Sequence, residues 1–243
     1  MKRFPALDFH CHILPAMDDG AESVEESRRM LSEERLAGVT DICFTPHFYA
    51  FENSIPSFLN RRKSSFLRIR KRTDGSFLNP VRYYLGAEVH FYEGMADDTL
   101  LNMLCCGESN LILIEPSAKK WDSSMFDELD RIKTEAHLQP VIAHVDRYIH
   151  AFEDFSIADR LISHGYLIQC NAEFFLDEDY RHSAIDMLSA GVISFVGSDA
   201  HNLVNRRVTM RAFLDLLRQE GIEQLFYSAS RRGIERLQGL GSF

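Results

Sequence analysis

The fold is decided by the stretch Asp8-Phe9-His10-Cys11-His12-Ile13-Leu14-Pro15-Ala16-Met17-Asp18-Asp19-Gly20. Side chains alternate along a strand, so a strand over residues 4–9 places His10 and His12 on one face as it ends. The proline and the glycine of the stretch mark a loop that folds one of the last two aspartates back over the same point. Imidazole and carboxylate together suit Zn, Fe, Mn or Ni. The stretch is therefore a candidate metal site; the alternative is a buried strand end whose polar side chains face water.

The chain has 243 residues, 45% hydrophobic and 26% charged, and we expect a single domain over residues 1–243. No apolar run reaches the roughly 20 residues that span a bilayer, and no signal-peptide core follows the basic start. We therefore expect a cytoplasmic protein that does not insert into membranes. Its five cysteines have no CxxC spacing, which predicts buried, reduced thiols. The net charge of −9 argues against nucleic acid as a partner.

Seven short apolar runs alternate with helical patterns, which is typical of parallel βαβ units. The candidate strands are residues 4–9, 39–45, 81–87, 111–114, 140–143, 166–170 and 192–197. The candidate helices are residues 24–37, 56–72, 125–136, 155–163, 181–189, 210–217 and 230–237. A capping box from Ser23 to Glu26 begins the first helix and Gly38 ends it. Asp74-Gly75 is predicted to turn the chain towards the third strand.

A histidine or a carboxylate follows six of the seven candidate strands, and the remaining strand ends at Asn171. Active sites of α/β folds lie at the carboxyl ends of their strands. Strands lie about 4.8 Å apart, so the outer two of seven in an open sheet would be about 29 Å apart. Metal–ligand bonds are only about 2.0–2.3 Å long. For His10 and His12 to share one cluster with Asp199 and His201, the sheet must close, or nearly close, into a barrel.

The motifs at the strand ends are His10-x-His12, Asp18-Asp19-Gly20, Thr45-Pro46-His47, Glu88, Glu115, His144-x-x-Arg147 and Ser198-Asp199-Ala200-His201-Asn202. In their order and combination, these motifs resemble the polymerase-and-histidinol-phosphatase (PHP) superfamily. Within the superfamily, residues 12–21 and 198–202 resemble the bacterial manganese-dependent tyrosine-protein phosphatases of capsule and exopolysaccharide loci. The resemblance spans residues 4 to about 210. It departs at Val145-Asp146, where Pro-Glu is usual, and in the unusually basic segment 50–80.

The resemblance implies an α/β fold, a distorted seven-stranded (β/α)7 TIM-like barrel, with three divalent metal ions at its carboxyl-terminal mouth. It implies Mn²⁺, with Fe, Zn, Co or Mg as alternatives. The implied ligands are His10, His12, Asp19, His47, Glu88, Glu115, His144, Asp199 and His201. Glu88 is implied to bridge two ions, and Arg147 and Arg206 to hold phosphate.

The implied activity is hydrolysis of phosphotyrosine by a metal-bridging hydroxide at this trinuclear site. Four carboxylates and three divalent ions leave a charge of about +2, which suits a phosphate dianion. A tyrosinate leaving group has a pKa near 10 and needs no strong general acid. The implied partner is a tyrosine-phosphorylated protein, expected to be a bacterial tyrosine kinase of polysaccharide synthesis.

Three other functions stay open. A phosphatase of the same superfamily that acts on a small phosphomonoester, such as histidinol phosphate, would use the same ligands. A phosphodiesterase or nuclease is disfavoured by the negative charge and by the lack of a basic aromatic groove. A non-catalytic metal-stabilised scaffold or sensor is disfavoured because structural metal sites use few ligands and close their coordination.

Two groups of residues each have two interpretations. One comprises aromatic residues that either line a slot for a tyrosine ring or pack at the rim: Phe48, Tyr49, Phe51 and Tyr92. The other is the basic run within residues 56–72, which is either a solvated helix face or a docking surface for an acidic or phosphorylated peptide.

The remaining polar residues near the motifs receive minor roles. Asp8 and Asp18 are predicted to orient ligands rather than bind metal. His90 is an extra histidine relative to the family pattern. The predicted surface histidines are His137, His150, His164 and His182.

Overall fold

The computed structural model describes residues 4–73, 81–117 and 121–240, with the side chains of 71–73 excepted. The turn predicted at Asp74-Gly75 lies outside these residues. Nine strands are described: β1 Leu7–Cys11, β2 Asp41–Phe44, β3 His47–Phe48, β4 Arg82–Leu85, β5 Glu88–His90, β6 Leu111–Glu115, β7 Gln139–Ile142, β8 Leu167–Asn171 and β9 Phe195–Gly197. The α-helices are α1 Val24–Ala37, α2 Ile55–Thr73, α3 Ser123–Thr134, α4 Val145–Phe152, α5 Ser156–Ser163, α6 Ala172–Leu176, α7 Arg181–Ser189, α8 Met210–Gln219 and α9 Glu223–Leu237. Two short 3-10 helices occupy Met95–Asp97 and Leu101–Leu104.

The predicted α/β class is confirmed, because every strand pair is parallel and helices separate most of the strands. The predicted count of seven strands is not confirmed. The described strands form a three-stranded sheet, β1-β2-β4, and a six-stranded sheet, β3-β5-β6-β7-β8-β9. The count differs because two further short strands, β3 and β5, lie just beyond the ends of the predicted strands 39–45 and 81–87. Pro46, which has no N–H to donate, lies between β2 and β3.

The two sheets meet where the first strand in the chain lies beside the last. The Asp199 amide donates to the His10 carbonyl at 2.7 Å, and the His12 amide donates to the Ala200 carbonyl at 2.9 Å. Phe9 and Phe195 stack below this seam with ring centroids 3.9 Å apart. The sheet therefore curls far enough to bring the first and last motifs of the sequence together.

The helix boundaries follow local sequence signals where such signals exist. The Ser23 side chain accepts from the Glu26 amide, and Gly38 ends α1 in the left-handed region, as predicted. Helices α4 and α6 were not predicted, because both are short and closely follow a strand: α4 begins three residues after the end of β7, and α6 begins directly after β8. Helix α9 begins well before residue 230, and β9 is shorter than the predicted strand 192–197.

The prediction for the cysteines is confirmed: all five are free and buried. Among the described residues, none of the helices is both long and apolar enough to cross a membrane.

Replacing Gly197 by alanine should separate β9 from β1. A Cβ at Gly197 would lie 2.5 Å from the His10 Cβ and 2.8 Å from the His10 nitrogen, so a strand must shift. We expect the free energy of unfolding, measured in urea, to fall by about 1–3 kcal/mol, and metal binding to weaken. The control is Gly38→Ala, whose Cβ meets nothing within 4 Å, so that only its backbone at φ 101° is strained. Metal binding by Gly197→Ala that equals that of Gly38→Ala would contradict this account of the seam.

Candidate metal centre

The structure brings the nine predicted ligands into one connected cluster. Seven of them lie at the carboxyl end of a strand or in the loop that follows it, and the other two, His47 and Glu88, are the first residues of the short strands β3 and β5. Three groups within the cluster have the ligand composition and spacing for a metal ion: His12, Asp19, His47 and His201; His10, His12 and Glu88; and His47, Glu88 and Glu115. His144 and Asp199 border these groups, because His144 Nε2 lies 3.4 Å from Glu115 Oε1 and Asp199 Oδ1 lies 3.5 Å from His12 Nε2.

Glu88 is the centre of the cluster and is buried. Its Oε2 atom lies 3.2 Å from His10 Nε2 and 3.1 Å from both His12 Nε2 and His47 Nδ1. Its Oε1 atom lies 2.8 Å from His144 Nε2. Burial alone would raise the pKa of Glu88, but the charges of His10 and His47 hold it well below its usual value. One carboxylate therefore stays ionised at the meeting point of four imidazoles.

The distances between the nitrogen and oxygen atoms of the cluster are those expected for atoms that bind a shared divalent ion. Ligands about 2.1 Å from a common ion lie roughly 3.0–3.4 Å apart, which is the spacing around Glu88. His10 Nε2 and His12 Nε2 face each other at 3.2 Å. Glu88 Oε2, His47 Nδ1 and His201 Nε2 are buried and make no hydrogen bond of acceptable geometry. Their lone pairs converge on shared points, as metal ligands require.

Protons occupy some of these positions when no metal is bound. Burial would lower the pKa of His12, but Asp18 and Glu88 raise it to about 10. Burial would likewise lower the pKa of His144, which Glu115 and Glu88 raise to about 9. Burial and the charge of His12 lower the pKa of His201 to about 3. Since a protonated imidazole cannot bind a metal, protons and metal ions compete for the cluster.

Asp18 and Asp8 lie outside the three groups and contact predicted ligands or their neighbours. Asp18 Oδ2 accepts from His12 Nδ1 at 2.7 Å and from the His47 amide at 2.8 Å. Asp8 accepts from the Ser198 amide and hydroxyl at 2.8 and 2.7 Å, which fixes the residue before Asp199. Hydrogen-bond partners of this kind determine which ring nitrogen of a histidine carries the proton and hold the side chain in the orientation needed to bind a metal ion.

Gln169 and Asn171 also hold the cluster, and the sequence analysis gave neither of them a role. Gln169 Oε1 lies 3.0 Å from His10 Nδ1 and accepts from the His144 amide at 2.6 Å. Asn171 Nδ2 donates to Asp199 Oδ2 at 3.1 Å. The signal in the sequence was a glutamine inside the otherwise apolar run 167–170. In the structure this glutamine is fully buried, and a buried amide must find polar partners.

Two arginines stand at the mouth of the cluster. Arg147 and Arg206 both donate to the carboxylate of Asp199, the latter at 3.1 Å to each oxygen. Their side chains are 44% and 36% exposed, so each guanidinium is also open to solvent. Val145-Asp146 replaces the Pro-Glu of the family pattern, yet Arg147 still lies in the first turn of α4. Asp146 accepts a hydrogen bond from the Asn171 amide at 2.9 Å.

The aromatic residues divide between the two interpretations. Phe48 is buried and packs edge-on against Phe58, so it belongs to the core. Tyr49 lies at the mouth, with its ring 5.2 Å from His47 and 5.5 Å from both Phe51 and His90. Phe51 is 79% exposed. Tyr49 and Phe51 therefore form an aromatic wall beside the cluster.

Tyr92 lies apart from this wall and bonds to Asp98 at 3.4 Å. His90 borders the cluster, since His90 Nδ1 is 3.2 Å from Glu115 Oε2. Its absence from the family pattern had not indicated this position. Of the predicted surface histidines, His137, His150 and His182 are exposed. His164 is also at the surface, although its side chain is only 31% exposed and faces Asp130 Oδ2 at 3.0 Å.

Comparison with known proteins places the chain in a family. The family model described as "Capsular polysaccharide synthesis, CpsB/CapC" matches residues 6–232. The chain belongs to the CpsB/CapC family of capsular polysaccharide synthesis.

Two curated relatives cover most of the chain. The tyrosine-protein phosphatase YwqE of Bacillus subtilis (strain 168) is 27% identical over 230 residues, which are 91% of this chain and 87% of YwqE. The tyrosine-protein phosphatase CpsB of Streptococcus pneumoniae is 27% identical over 220 residues, 87% of this chain and 89% of CpsB.

The fold also matches a solved structure from a study of YwqE of Bacillus subtilis and CpsB of Streptococcus pneumoniae, described there as unique metal-dependent tyrosine phosphatases. The TM-score is 0.80 at 24% identity, over 98% of this chain and 96% of that one. At this identity the match establishes the fold of the chain.

Replacing Asp18 by asparagine should weaken metal binding without unfolding the chain. The amide retains the size of the carboxylate but loses the charge that holds His12 and the His47 backbone in place. We expect a loss of about 10–100-fold in metal affinity, measured by competition with a chromogenic chelator. The control is Glu22→Gln, which removes an exposed carboxylate from the same loop and should leave the metal affinity unchanged. Equal affinities for the two variants would show that Asp18 does not orient the ligands.

Metal uptake should release protons, because His12 and His144, whose pKa values are about 10 and 9, must lose theirs to bind. The apparent affinity should therefore rise as the pH is raised from 6 to 9. Calorimetry in buffers of different ionisation enthalpy measures the released protons directly. A binding enthalpy that does not depend on the buffer would contradict the prediction.

Proposed function

We propose that this chain is a metal-dependent protein-tyrosine phosphatase with a single catalytic domain over residues 1–243. The observation that carries the proposal is the position of Glu88. Its buried carboxylate is shared by two groups of ligands, and two arginines stand at the mouth beside them. A multinuclear centre next to guanidinium groups is suited to a phosphate ester rather than to a neutral substrate.

The site would hold three divalent ions on five imidazoles and four carboxylates: His10, His12, Asp19, His47, Glu88, Glu115, His144, Asp199 and His201. We propose Mn²⁺, since the hard carboxylate ligands suit it and the resemblance to manganese-dependent phosphatases supports it; the imidazoles are equally suited to Fe or Zn. When bound, the ions would supply an activated water as nucleophile and positive charge against the phosphoryl oxygens. The fold that positions them would be a distorted seven-stranded barrel, in which β2 with β3 and β4 with β5 each count as one strand.

Arg147 and Arg206 would bind the phosphoryl oxygens. Each guanidinium has five N–H groups and spends only some of them on Asp199, so the others are available to a substrate at the mouth. Planar guanidinium groups pair with phosphate through two parallel hydrogen bonds. The two arginines would orient the phosphorus for attack and stabilise the charge that builds up on its equatorial oxygens.

The aromatic wall supports a tyrosine ring as the leaving group. Tyr49 and Phe51 are close enough to His47 to contact a ring attached to a phosphate at the mouth. The phenolate would leave without a strong general acid, since its pKa is near 10. The names of the relatives, which are tyrosine-protein phosphatases, support the same substrate class.

The substrate would be a tyrosine-phosphorylated protein, and we propose a bacterial tyrosine kinase that acts in polysaccharide synthesis. The family description links the chain to capsular polysaccharide synthesis. The exposed mouth supports a protein substrate, because a phosphotyrosine on a peptide could reach the arginines without entering a closed cavity.

The chelated chain should regain activity when Mn²⁺ is added back, and its substrate preference should identify it. We expect a phosphotyrosyl peptide to be hydrolysed with a higher kcat/KM than either a phosphoseryl peptide or histidinol phosphate. A preference for histidinol phosphate would replace the proposal with the small-molecule phosphatase. Full activity in the chelated sample would exclude the metal-dependent mechanism.

Replacing Arg147 by alanine should lower kcat/KM for the phosphotyrosyl peptide by about 10²-fold or more. The reason is the loss of hydrogen bonds that strengthen as charge moves onto the phosphoryl oxygens. Metal content should be retained. The matched control, Arg207→Ala, removes an exposed arginine beside Arg206 and should keep its activity. Activity in Arg147→Ala equal to that of the control would rule out a role in phosphate binding.

A further inference from the structure

One arginine of the basic run on α2 points into the protein. Arg62 is only 8% exposed, whereas its neighbours Arg61 and Lys63 are exposed. Its guanidinium donates to the Gly86 carbonyl at 2.5 Å and reaches the Met103 carbonyl at 3.5 Å. Neither interpretation of this run made from the sequence, a solvated face or a docking surface, accounts for a buried side chain.

The charge of Arg62 has no counter-ion within the described chain. Among residues 4–70, 81–117 and 121–240, no carboxylate oxygen lies within 4 Å of its guanidinium. Burial lowers the pKa of Arg62, and the nearby thiol of Cys43 has a pKa raised by burial, so it offers no negative charge. The guanidinium also lies over the ring of Phe58, with Cζ 5.5 Å from the ring centroid. A buried charge whose partners are all neutral is costly, and an anion beside it would offset that cost.

Arg62 lines a cavity of about 490 Å³ that opens to solvent. The cavity lies along β4 and against the second 3-10 helix, with walls that include Tyr83, Tyr84, Leu85, Met103 and Leu237. None of its lining residues belongs to the candidate metal centre. The cavity is therefore separate from that centre, and it combines one buried positive charge with walls that are partly polar and partly aromatic or aliphatic.

We propose that this cavity binds an organic monocarboxylate with an aromatic or apolar body. The planar guanidinium of Arg62 matches a carboxylate through parallel hydrogen bonds. The tyrosine, leucine and methionine side chains suit a ring or an alkyl body. Glu108 also lines the cavity and is exposed, so a dianion such as phosphate would meet more repulsion than a monoanion.

The proposal is tested on the full chain loaded with diamagnetic Zn²⁺, because paramagnetic Mn²⁺ would broaden the resonances of residues near the metal centre. The measurement is an NMR titration with benzoate and with its neutral isostere, benzamide. We expect the Nε–H resonance of Arg62 to shift saturably with benzoate and to stay unchanged with benzamide. Inorganic phosphate, added as a third probe, should leave it unchanged. If benzoate produces no saturable shift, or if benzamide or phosphate shifts the resonance as benzoate does, the proposal is overturned.

Two variants locate the site. Arg62→Gln removes the charge, and Asn102→Trp fills the mouth of the cavity from an exposed position without touching the guanidinium contacts. Each should weaken benzoate binding roughly tenfold or more, measured from shifts of the ring protons of benzoate. The controls are Lys63→Gln and Leu100→Trp, which change exposed residues outside the cavity and should bind as the parent does. If Asn102→Trp retains the parent affinity, the ligand does not occupy this cavity, whatever the stability of Arg62→Gln.

Discussion

The structure depends on a buried negative charge that several positive or metal-binding groups must share. Glu88 is 1% exposed and lies about 3 Å from four imidazoles that come from three separate segments of the chain. In water such a carboxylate would be solvated, but here only histidines, protons or metal ions can compensate it. The convergence of distant segments on one carboxylate explains why the ends of the strands must be held so closely.

The curl of the sheet provides that convergence. Backbone hydrogen bonds join β1 to the loop after β9, so His10 and Asp199 become neighbours although most of the chain separates them. Gly197 permits the close approach because it has no side chain where His10 packs. Strand packing thus determines where the side chains of the cluster lie. The charges that it brings together are those of the side chains themselves.

Much of the site could be predicted because its signals are local. The alternation of His10 and His12 places both on one strand face, and a polar residue directly after an apolar run lies at a strand end whatever the tertiary structure. The predicted orienting roles of Asp8 and Asp18 followed from the same logic. Fold class followed from the alternation of strand and helix patterns.

The rest depended on tertiary packing. The separation of β2 from β3 at Pro46 and of β4 from β5 at Gly86 reflects how the sheet bends, which the apolar pattern does not encode. Gln169 was missed because its partners are 159 and 25 residues away. Arg62 was assigned to a basic surface run although helical spacing places it on the apolar face of α2, four residues from both Phe58 and Phe66. The charge of its side chain outweighed that signal.

The central claim is that metal ions share Glu88, and anomalous diffraction from crystals of the Mn²⁺-loaded chain tests it most directly. The account predicts three manganese peaks at the mouth, two of them within bonding distance of the Glu88 carboxylate. A single peak, or peaks that leave Glu88 without a metal, would contradict it.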